Sequence, residues 1–193
     1  FTGGKLSVKV SETGTSYYNV FVDGKLHKVV KVCGTDTLIH LVSGIDKRIH
    51  SLKIQKRSEG EFGKTTVHQF VLSGSGRLAE ELAVRTRHIE FIGNSLTCGY
   101  GTDGKHRDEP FLVETENCNL TFASMVARYY DADYTLIAHS GRGAARNYGD
   151  SVRVSKVTMK DRMLNTFDED LTHKWNFKEY RPDLVVINLG SND

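Results

Sequence analysis

Cysteine is scarce in this sequence, and its few copies lie far apart. Cys33, Cys98 and Cys118 make an odd number, and no two of them are spaced as in a zinc knuckle. A disulfide framework would need an even and denser set. We therefore expect buried free thiols, and neither a disulfide framework nor a metal site built from cysteine.

Long apolar runs are also missing. No run approaches the roughly 18 residues of a membrane-spanning helix, so a membrane is not a predicted partner. No signal peptide is visible in the chain. Because the sequence begins with Phe1 rather than Met, we expect that an upstream segment has been removed.

An excess of either charge is absent as well. The 26 basic and 24 acidic residues are interspersed and leave a formal net charge of +2. Without a basic stripe, the sequence argues against a nucleic-acid partner. The apolar fraction of 38% suffices for a folded core. A length of 193 residues permits one large domain, or one small domain and part of another.

The first 83 residues have the pattern of an all-β domain. Residues 6–10 alternate apolar and polar side chains, which predicts a half-buried strand. Asp23-Gly24 separates two further runs and tolerates the positive φ of a tight hairpin turn. The other predicted strands are 17–22, 26–32, 37–42, 50–56 and 66–72. Short strands at this spacing favour a β-sandwich over residues 1–83.

From about residue 87 the pattern changes to alternating strands and helices. Strands are predicted at 89–92, 134–138 and 184–189, the last one nearly continuous in apolar residues and therefore expected to be covered on both faces. Apolar residues at helical spacing predict a helix over 122–130, with Asn117 or Asn119 as its N-cap. A longer helical stretch is expected before the last strand. This order favours a parallel α/β sheet over residues 87–193.

Each of the three predicted parallel strands ends in glycine with serine or asparagine. The three loops are Gly93-Asn94-Ser95-Leu96-Thr97, His139-Ser140-Gly141-Arg142-Gly143 and Gly190-Ser191-Asn192-Asp193. In open α/β sheets, ligands bind at the carboxyl ends of the strands. We therefore predict one functional site at this edge of the sheet.

The residue types in these loops suit nucleophilic catalysis. A serine nucleophile needs a base, and it also needs N–H donors for the oxyanion that forms after its attack. Ser95 offers a hydroxyl and its own N–H. Gly143 offers an N–H with no side chain to block a substrate, and Asn192 offers an amide N–H.

These loops resemble the conserved blocks of the SGNH (GDSL) hydrolases. Gly93–Thr97 is similar to block I, residues 140–143 to the glycine block and residues 190–193 to the GxND block. The resemblance narrows to carbohydrate esterase family 2, the acetyl esterases of plant polysaccharides. The segments that carry it are 91–101, 140–143, 146–149 and 182–190, together with 50–59, which resembles part of that family's N-terminal jelly roll.

The resemblance implies a fold and an activity. The fold would be an all-β jelly-roll sandwich followed by an α/β/α domain with a flavodoxin-like parallel sheet, incomplete in this chain. The activity would be removal of O-acetyl groups from polysaccharide such as acetyl-xylan, through an acetyl-Ser95 intermediate. Ser95, Gly143 and Asn192 would form the oxyanion hole. The family implies no cofactor and no metal, an acetylated polysaccharide or oligosaccharide as partner, and export from the cell into the medium or the periplasm.

Two features depart from the pattern of the superfamily. Asn94 stands where most members have Asp, which is compatible with the esterase subfamily. The general base of the superfamily is a His in a C-terminal Asp-x-x-His block that follows the Asn block, and this sequence stops at Asp193, immediately after its Asn block. The resemblance therefore predicts that the natural protein continues past Asp193 and that its catalytic base lies there.

Other functions and roles remain open at this point. The protein would be a non-catalytic carbohydrate-binding protein if its hydrolase domain is degenerate, or a broader SGNH lipase or esterase if it accepts other acyl groups. Among single residues, Gly143 is also explained by backbone geometry and Asn192 by helix capping. The remaining alternatives are His139 as a substitute base, His106 in a substrate cleft, Cys98 as a thiol nucleophile, and Trp175 with Phe177 as a sugar-stacking surface.

Overall fold

The structure is a computed structural model that describes residues 1–80 and 85–193. The chain divides into two compact units, the first comprising Phe1–Arg57 and Phe62–Val84, and the second comprising Ser58–Glu61 and Arg85–Asp193. The predicted boundary after residue 83 lies outside the described residues. The short segment 58–61 belongs with the second unit, although it lies inside the range predicted for the first domain.

The first unit consists of two three-stranded antiparallel sheets, with the orders β4-β1-β6 and β3-β2-β5. All six predicted strands are present. Their bounds are β1 Lys5–Glu12, β2 Thr15–Val22, β3 Lys25–Cys33, β4 Thr37–Ser43, β5 Leu52–Lys56 and β6 Thr65–Ser73.

The core of this unit draws on strands from both sheets. Leu6, Val8 and Val10 point inward from β1, as their alternation predicts, and Val20 of β2 and Leu41 of β4 are fully buried with them. Burying each such side chain stabilises the fold by about 1.5–3 kcal/mol. A core shared between two antiparallel sheets confirms the predicted sandwich.

The turn between β2 and β3 has the conformation that its sequence predicts. Asp23 and Gly24 both have positive φ, 51° and 75°. Two consecutive residues with positive φ are required by the two-residue turn whose twist matches that of the flanking strands. The Asp-Gly dipeptide therefore sets the β2–β3 pairing locally.

The second unit contains a three-stranded parallel sheet with the order β11-β7-β8. Its helices and strands are β7 His88–Gly93, α1 Ser95–Cys98, α2 Phe122–Tyr129, β8 Asp133–Ala138, α3 Met159–Arg162, β9 Asn165–Phe167, β10 Asp170–Lys174 and β11 Leu184–Asn188. Short 3-10 turns occur at Gly60–Phe62, Val113–Thr115 and Cys118–Leu120. The predicted parallel α/β architecture is confirmed.

The register of this sheet brings the three strand ends to one level. Gly93, the last residue of β7, pairs with Asn188 on one side and with Ala138 on the other. Each strand is parallel to its neighbour, so the chain leaves all three in the same direction. The three glycine-bearing loops therefore begin side by side at the carboxyl edge.

Helix α2 is confirmed, but two of its details differ from expectation. Its N-cap is Thr121, whose hydroxyl accepts the Ser124 N–H, whereas Asn117 caps the preceding 3-10 turn. The helix packs on the sheet through Ala123 and Ala127, both fully buried. Small side chains let the helix axis approach the sheet closely, and the larger apolar residues of α2 stay partly exposed.

The segment between β8 and β11 does not contain the predicted long helix. Within the described residues it holds only the four-residue α3 and the β9–β10 hairpin. Trp175 follows β10 outside any helix and is 36% exposed. Strand β11 is present, and among the described residues it lies at an edge of the three-stranded sheet with Ile187 64% exposed.

The three cysteines are free. Cys98 and Cys118 are buried as expected, whereas Cys33 is exposed, because it ends β3 beside the Gly34 turn. In the parts of the chain that the structure describes, no helix has the length and apolar character needed to cross a membrane.

Candidate active site

The junction between β7 and α1 presents Ser95. A Cβ on Gly93 would lie 2.0 Å from Thr97 Oγ1, so only glycine allows the strand to turn directly into the helix. Asn94 is the N-cap of α1, and its Oδ1 accepts the Leu96 N–H at 3.2 Å. Ser95 is therefore the first residue of a short helix at the carboxyl edge of the sheet.

The polar groups of Ser95 are free for a ligand. The side chain is half-buried, and neither its Oγ nor its N–H has a hydrogen-bond partner among residues 1–80 and 85–193. A lone serine in a turn would commonly bond to a nearby backbone group. The hydroxyl and the adjacent N–H instead remain open at the edge where the three loops meet.

Hydrogen bonds join the three loops to one another. The Asn94 side-chain amide donates to Ser191 Oγ at 2.8 Å, which links the first loop to the third. The Asn192 amide donates to the Arg142 carbonyl oxygen at 2.9 Å, which links the third loop to the second. The structure thus brings two of the predicted site residues, Ser95 and Asn192, into one connected group of loops.

Asp193 shapes the second loop. Its carboxylate accepts the backbone N–H groups of Ala144, Ala145 and Arg146. These backbone hydrogen bonds, that of Arg146 foremost, hold the pKa of Asp193 below its ordinary value. Asp193 is therefore an ionised anchor for residues 144–146.

Gly143 does not have the geometry predicted for an oxyanion donor. Its N–H donates to Asn147 Oδ1 at 3.4 Å, and a Cβ at this position would lie 1.9 Å from the Arg146 carbonyl oxygen. The Gly143 N–H is thus occupied by a hydrogen bond within residues 143–147. The close approach of the Arg146 carbonyl oxygen explains why this position is a glycine. The backbone-geometry alternative fits this residue better than the catalytic one.

Gly141 has the free N–H that Gly143 lacks. Its φ of 74° lies in the left-handed region that favours glycine. Within the described chain its N–H has no hydrogen-bond partner, while its carbonyl oxygen accepts the Tyr148 N–H at 2.8 Å. Sequence reasoning passed over this residue, although it also lies in the Ser-Gly-Arg-Gly motif.

His139 is held in an ionic cluster and is not a free base. It is 1% exposed, and its Nδ1 lies 2.6 Å from Asp168 Oδ2 while its Nε2 lies 3.3 Å from Glu61 Oε2. Arg162 binds the same Asp168 carboxylate. Burial opposes ionisation of Asp168, but its contacts with His139 and Arg162 outweigh burial and lower its pKa. Arg162 thus supplies a positive charge within this cluster.

A second buried cluster lies directly beneath the loops. Glu59 Oε2 accepts the Ser140 N–H at 2.7 Å and the Cys98 thiol at 3.5 Å, and the Glu59 N–H donates to Glu116 Oε2 at 3.0 Å. Burial, and then the charge of Glu59, raise the pKa of Glu116 to about 9. Burial also raises the pKa of the Cys98 thiol, which argues against a thiol nucleophile.

Hydrogen bonds and a retained proton are enough to account for this second cluster. The side chains of Glu59, Cys98 and Glu116 place ligand-type atoms within 4.8 Å of one another. However, the thiol donates to Glu59 and the raised pKa keeps a proton on Glu116 at neutral pH. Sequence reasoning did not single out Glu59 or Glu116, because no local spacing marks two residues 57 positions apart as neighbours.

A cavity of about 270 Å³ lies beside α1. Tyr100 and Phe111 line it with their rings stacked at 3.9 Å between centroids, and His106 is a further lining residue. The Tyr100 N–H donates to the Ser95 carbonyl oxygen at 3.1 Å, so the cavity begins within one turn of the candidate nucleophile. His106 thus lies on a concave surface, and its place in a substrate cleft stays a prediction.

Comparison with known families gives two matches that together span nearly the whole chain. The model described as "Carbohydrate esterase 2 N-terminal" matches residues 1–81, and the model described as "GDSL-like Lipase/Acylhydrolase" matches residues 89–193. The first match falls mainly on the first unit of the fold, and the second match falls on the second unit.

Individual proteins similar to this chain are carbohydrate-active enzymes. The chain is 35% identical over 193 residues to cellulase/esterase CelE of Acetivibrio thermocellus. It is 32% identical over 198 residues to an acetylxylan esterase / glucomannan deacetylase of Cellvibrio japonicus. A solved family two carbohydrate esterase from Clostridium thermocellum, in complex with cellohexaose, matches with a TM-score of 0.92 and 34% identity.

The matches cover all of this chain but only part of each similar protein. The chain spans 23% of the Acetivibrio protein, 52% of the Cellvibrio protein and 57% of the solved Clostridium chain. The two relatives and the solved chain are thus roughly two to four times as long as this chain.

Proposed function

Because the chain belongs to the GDSL-like lipase/acylhydrolase family and carries the N-terminal domain of carbohydrate esterase family 2, we propose that the whole protein is a serine esterase that removes O-acetyl groups from plant polysaccharide such as acetyl-xylan. The observation that carries this proposal is the position of Ser95. Its hydroxyl and N–H have no partner among the described residues, and they lie where three hydrogen-bonded loops meet.

The proposed reaction has two steps through one covalent intermediate. Ser95 Oγ attacks the acetyl carbonyl carbon while a base takes its proton, and the ester C–O bond then breaks as the sugar oxygen receives that proton. The product of this step is acetyl-Ser95 and a free sugar hydroxyl. Water, deprotonated by the same base, next attacks the acetyl carbon, so acetate leaves and Ser95 recovers its proton.

The oxyanion formed in each step needs N–H donors. We assign this role to the Ser95 N–H, to the Gly141 N–H and to the second N–H of the Asn192 amide, whose first N–H donates to Arg142. Gly141 replaces Gly143 in this assignment, because the Gly143 N–H donates to Asn147. Removal of one such donor typically lowers kcat by about 10²–10³.

The base is proposed to come from outside the 193 residues. His139, the histidine adjacent to the loops, is buried between Asp168 and Glu61. The similar proteins are longer than this chain, and the superfamily pattern places the base in an Asp-x-x-His block near the C-terminus. Activity is therefore expected of the whole protein.

The substrate class rests on the similar proteins. One is an acetylxylan esterase / glucomannan deacetylase and one is a cellulase/esterase, which favours an acetylated plant polysaccharide as substrate. A polymer of this kind does not cross a membrane, so we further propose that the protein works outside the cytoplasm. Activity in the culture supernatant or periplasmic extract, rather than in the cytoplasmic fraction, tests this location.

Acetate release from acetylated xylan by the full-length protein tests the proposed reaction. Ser95→Ala is expected to lower kcat by at least about 10³-fold with little change in KM, since removal of a nucleophile of this type has effects of that size or larger. Activity that survives Ser95→Ala would rule out the mechanism. A series of 4-nitrophenyl esters tests specificity, and a preference for long acyl chains over acetyl would favour a broader lipase instead.

A second candidate function is binding of an unacetylated glucan at the same edge. It is favoured by the similar Clostridium esterase, whose structure was solved with cellohexaose. Titration calorimetry of the full-length protein with cellohexaose tests it, because this unacetylated glucan carries no ester for the protein to hydrolyse. Binding without any esterase activity in the unmodified full-length protein would make binding the primary function.

A further inference from the structure

A short segment from the N-terminal half of the chain supplies a buried carboxylate to the candidate site. Residues 58–61 follow β5 and belong to the second unit, although they lie within the region that matches the N-terminal esterase domain. Glu59 is 7% exposed. Burying a carboxylate without hydrogen-bond partners costs free energy. The contacts of Glu59 therefore indicate its role.

Glu59 contacts both elements that carry the proposed chemistry. Its Oε2 accepts the Ser140 N–H at 2.7 Å. Ser140 lies directly before Gly141 in the loop after β8. The same oxygen accepts the thiol of Cys98, the last residue of the helix that Ser95 begins. One carboxylate oxygen thus links the nucleophile helix to the glycine loop.

The other carboxylate oxygen of Glu59 requires a proton donor. Glu59 Oε1 is buried and has no hydrogen-bond partner among the described residues. The Glu116 carboxyl lies beside it: Glu116 Oε2 accepts the Glu59 N–H at 3.0 Å, a carboxylate oxygen of each residue lies within 4.8 Å of one of the other, and Glu116 is 0% exposed. Two adjacent buried carboxyl groups cannot both be ionised at neutral pH, so one proton is held between them.

We propose that Glu59 is a positioning residue for the esterase reaction, and that a proton shared with Glu116 lets it fix the glycine loop against the Ser95 helix. This inference rests on the proposed function. It goes further by assigning part of the site geometry to a residue from outside the conserved hydrolase blocks. A loop displaced by about 1 Å can lower a rate by about 10²-fold, which is the scale of effect expected when this link is lost.

The shared proton predicts a specific pH dependence. Glu116 is faced by Glu59, Glu61 and Cys98, and Glu59 is faced in addition by His139. As the pH rises through about 9, Glu116 loses its proton and two carboxylates repel each other beneath the loops. We therefore expect kcat to fall above about pH 9 in the full-length protein.

Three variants of the full-length protein separate positioning from general stability. Glu59→Ala removes the acceptor for the Ser140 N–H and is expected to lower kcat about 10²-fold with little change in KM. Glu59→Gln keeps an acceptor oxygen and is expected to recover part of that loss. Glu116→Gln is a neutral replacement for a protonated carboxyl, so at pH 7 its kcat is expected within about threefold of the unmodified protein.

The pH profile is the decisive measurement. Acetate release is measured from pH 6 to 10.5, with the Ser95→Ala protein as the blank for spontaneous hydrolysis. The decline of kcat above about pH 9 is expected to disappear in Glu116→Gln and to persist in Glu80→Gln, a matched change at an exposed glutamate. A decline that is the same in Glu116→Gln and in the unmodified protein would overturn the shared-proton assignment.

Hydrogen–deuterium exchange provides a readout that does not need activity. In Glu59→Ala, peptides covering residues 139–143 and 95–98 are expected to exchange faster at pH 7, while peptides from the first unit and the Glu80→Gln control stay unchanged. Unchanged exchange in both site peptides would refute the positioning role. If the unmodified protein releases no acetate, the proposed function fails, and the exchange result still decides whether Glu59 holds these loops.

Discussion

At the scale of single residues, Asn94 has two separate tasks in holding the loop Gly93–Thr97. Its Oδ1 caps the helix that begins with Ser95, and its amide nitrogen donates to Ser191 Oγ. The oxygen acts within two residues of the chain, whereas the nitrogen acts across 97. An Asp at this position, as in most of the superfamily, would keep the first task and reverse the direction of the second.

Substitution of Asn94 tests these two tasks. Asn94→Ala is expected to lower the free energy of unfolding by about 1–2 kcal/mol, because the N-cap acceptor is lost and Ser191 loses a partner. Asn94→Asp is expected to cost less than Asn94→Ala, since a carboxylate caps the helix and can accept the Ser191 hydroxyl proton. Urea denaturation of the three proteins measures the difference. Equal destabilisation by Ala and Asp would contradict the capping role.

Motif spacing identified some of the candidate site residues and missed others. Ser95 and Asn192 were predicted from their loops, because a glycine-bearing turn after a buried strand is a local pattern. The free N–H of Gly141 and the occupied N–H of Gly143 depend on Asn147, Arg146 and Asp193. No spacing rule distinguishes two glycines in one motif, so only the packed loop shows which of the two N–H groups has a hydrogen-bond partner.

At the scale of elements, the strand-to-helix junction at Gly93 decides whether α1 forms in the right place. A Cβ on Gly93 would lie 2.7 Å from Thr97 Cβ, one turn into the helix. Strand β7 is the central strand of the sheet, with a neighbour on each side. The strand therefore cannot shift to relieve the collision without disturbing both pairings.

Gly93→Ala is accordingly expected to destabilise the second unit by about 1–3 kcal/mol through overpacking, and to lower acetyl release by displacing Ser95. Gly24→Ala in the β2–β3 turn is the matched control, because that position has positive φ but open space around it. It is expected to cost about 1–2 kcal/mol from backbone strain alone without changing activity. Normal acetyl release by Gly93→Ala would show that the junction tolerates a side chain.

Element prediction succeeded where the apolar pattern was local and failed where packing overrode it. The six strands of the sandwich and the three parallel strands follow from periodicity. The long helix expected before β11 is replaced by α3 and a hairpin, and the α2 residues that are fully buried against the sheet are Ala123 and Ala127, while its larger apolar residues stay more exposed. A short distance between a helix and a sheet favours small residues at their contact. That distance is set by tertiary packing, so the local sequence pattern does not predict it.

At the scale of the whole molecule, the buried carboxyl pair makes the stability of the protein depend on pH. Glu116 has a pKa of about 9 in the folded protein against an ordinary value of 4.5. Between these values the folded state binds more protons than the unfolded state, so the free energy of unfolding decreases as the pH rises. Above about pH 9 both states have lost this proton and the dependence ends.

Glu116→Gln is expected to remove this dependence. The Tm of the unmodified protein should decrease from about pH 5 to about pH 9 more steeply than that of Glu116→Gln, so the variant gains relative stability across that window. Calorimetry at half-unit pH steps measures the two slopes, with Glu80→Gln as the control that should follow the unmodified protein. Parallel slopes in all three proteins would mean that Glu116 does not retain its proton.

The sequence by itself determined the positions of the strands along the chain, the hairpin at Asp23-Gly24 and the three glycine loops at one sheet edge. Periodicity and backbone freedom are local properties, so they can be read without the tertiary structure. It also identified the family, whose blocks are short contiguous motifs. Only the tertiary structure placed Glu59 against Ser140, 81 residues away, buried His139 in an ionic cluster, and distinguished Gly141 from Gly143. Hydrogen bonds and buried charges join residues distant in sequence, and their pairing is decided only when the chain packs.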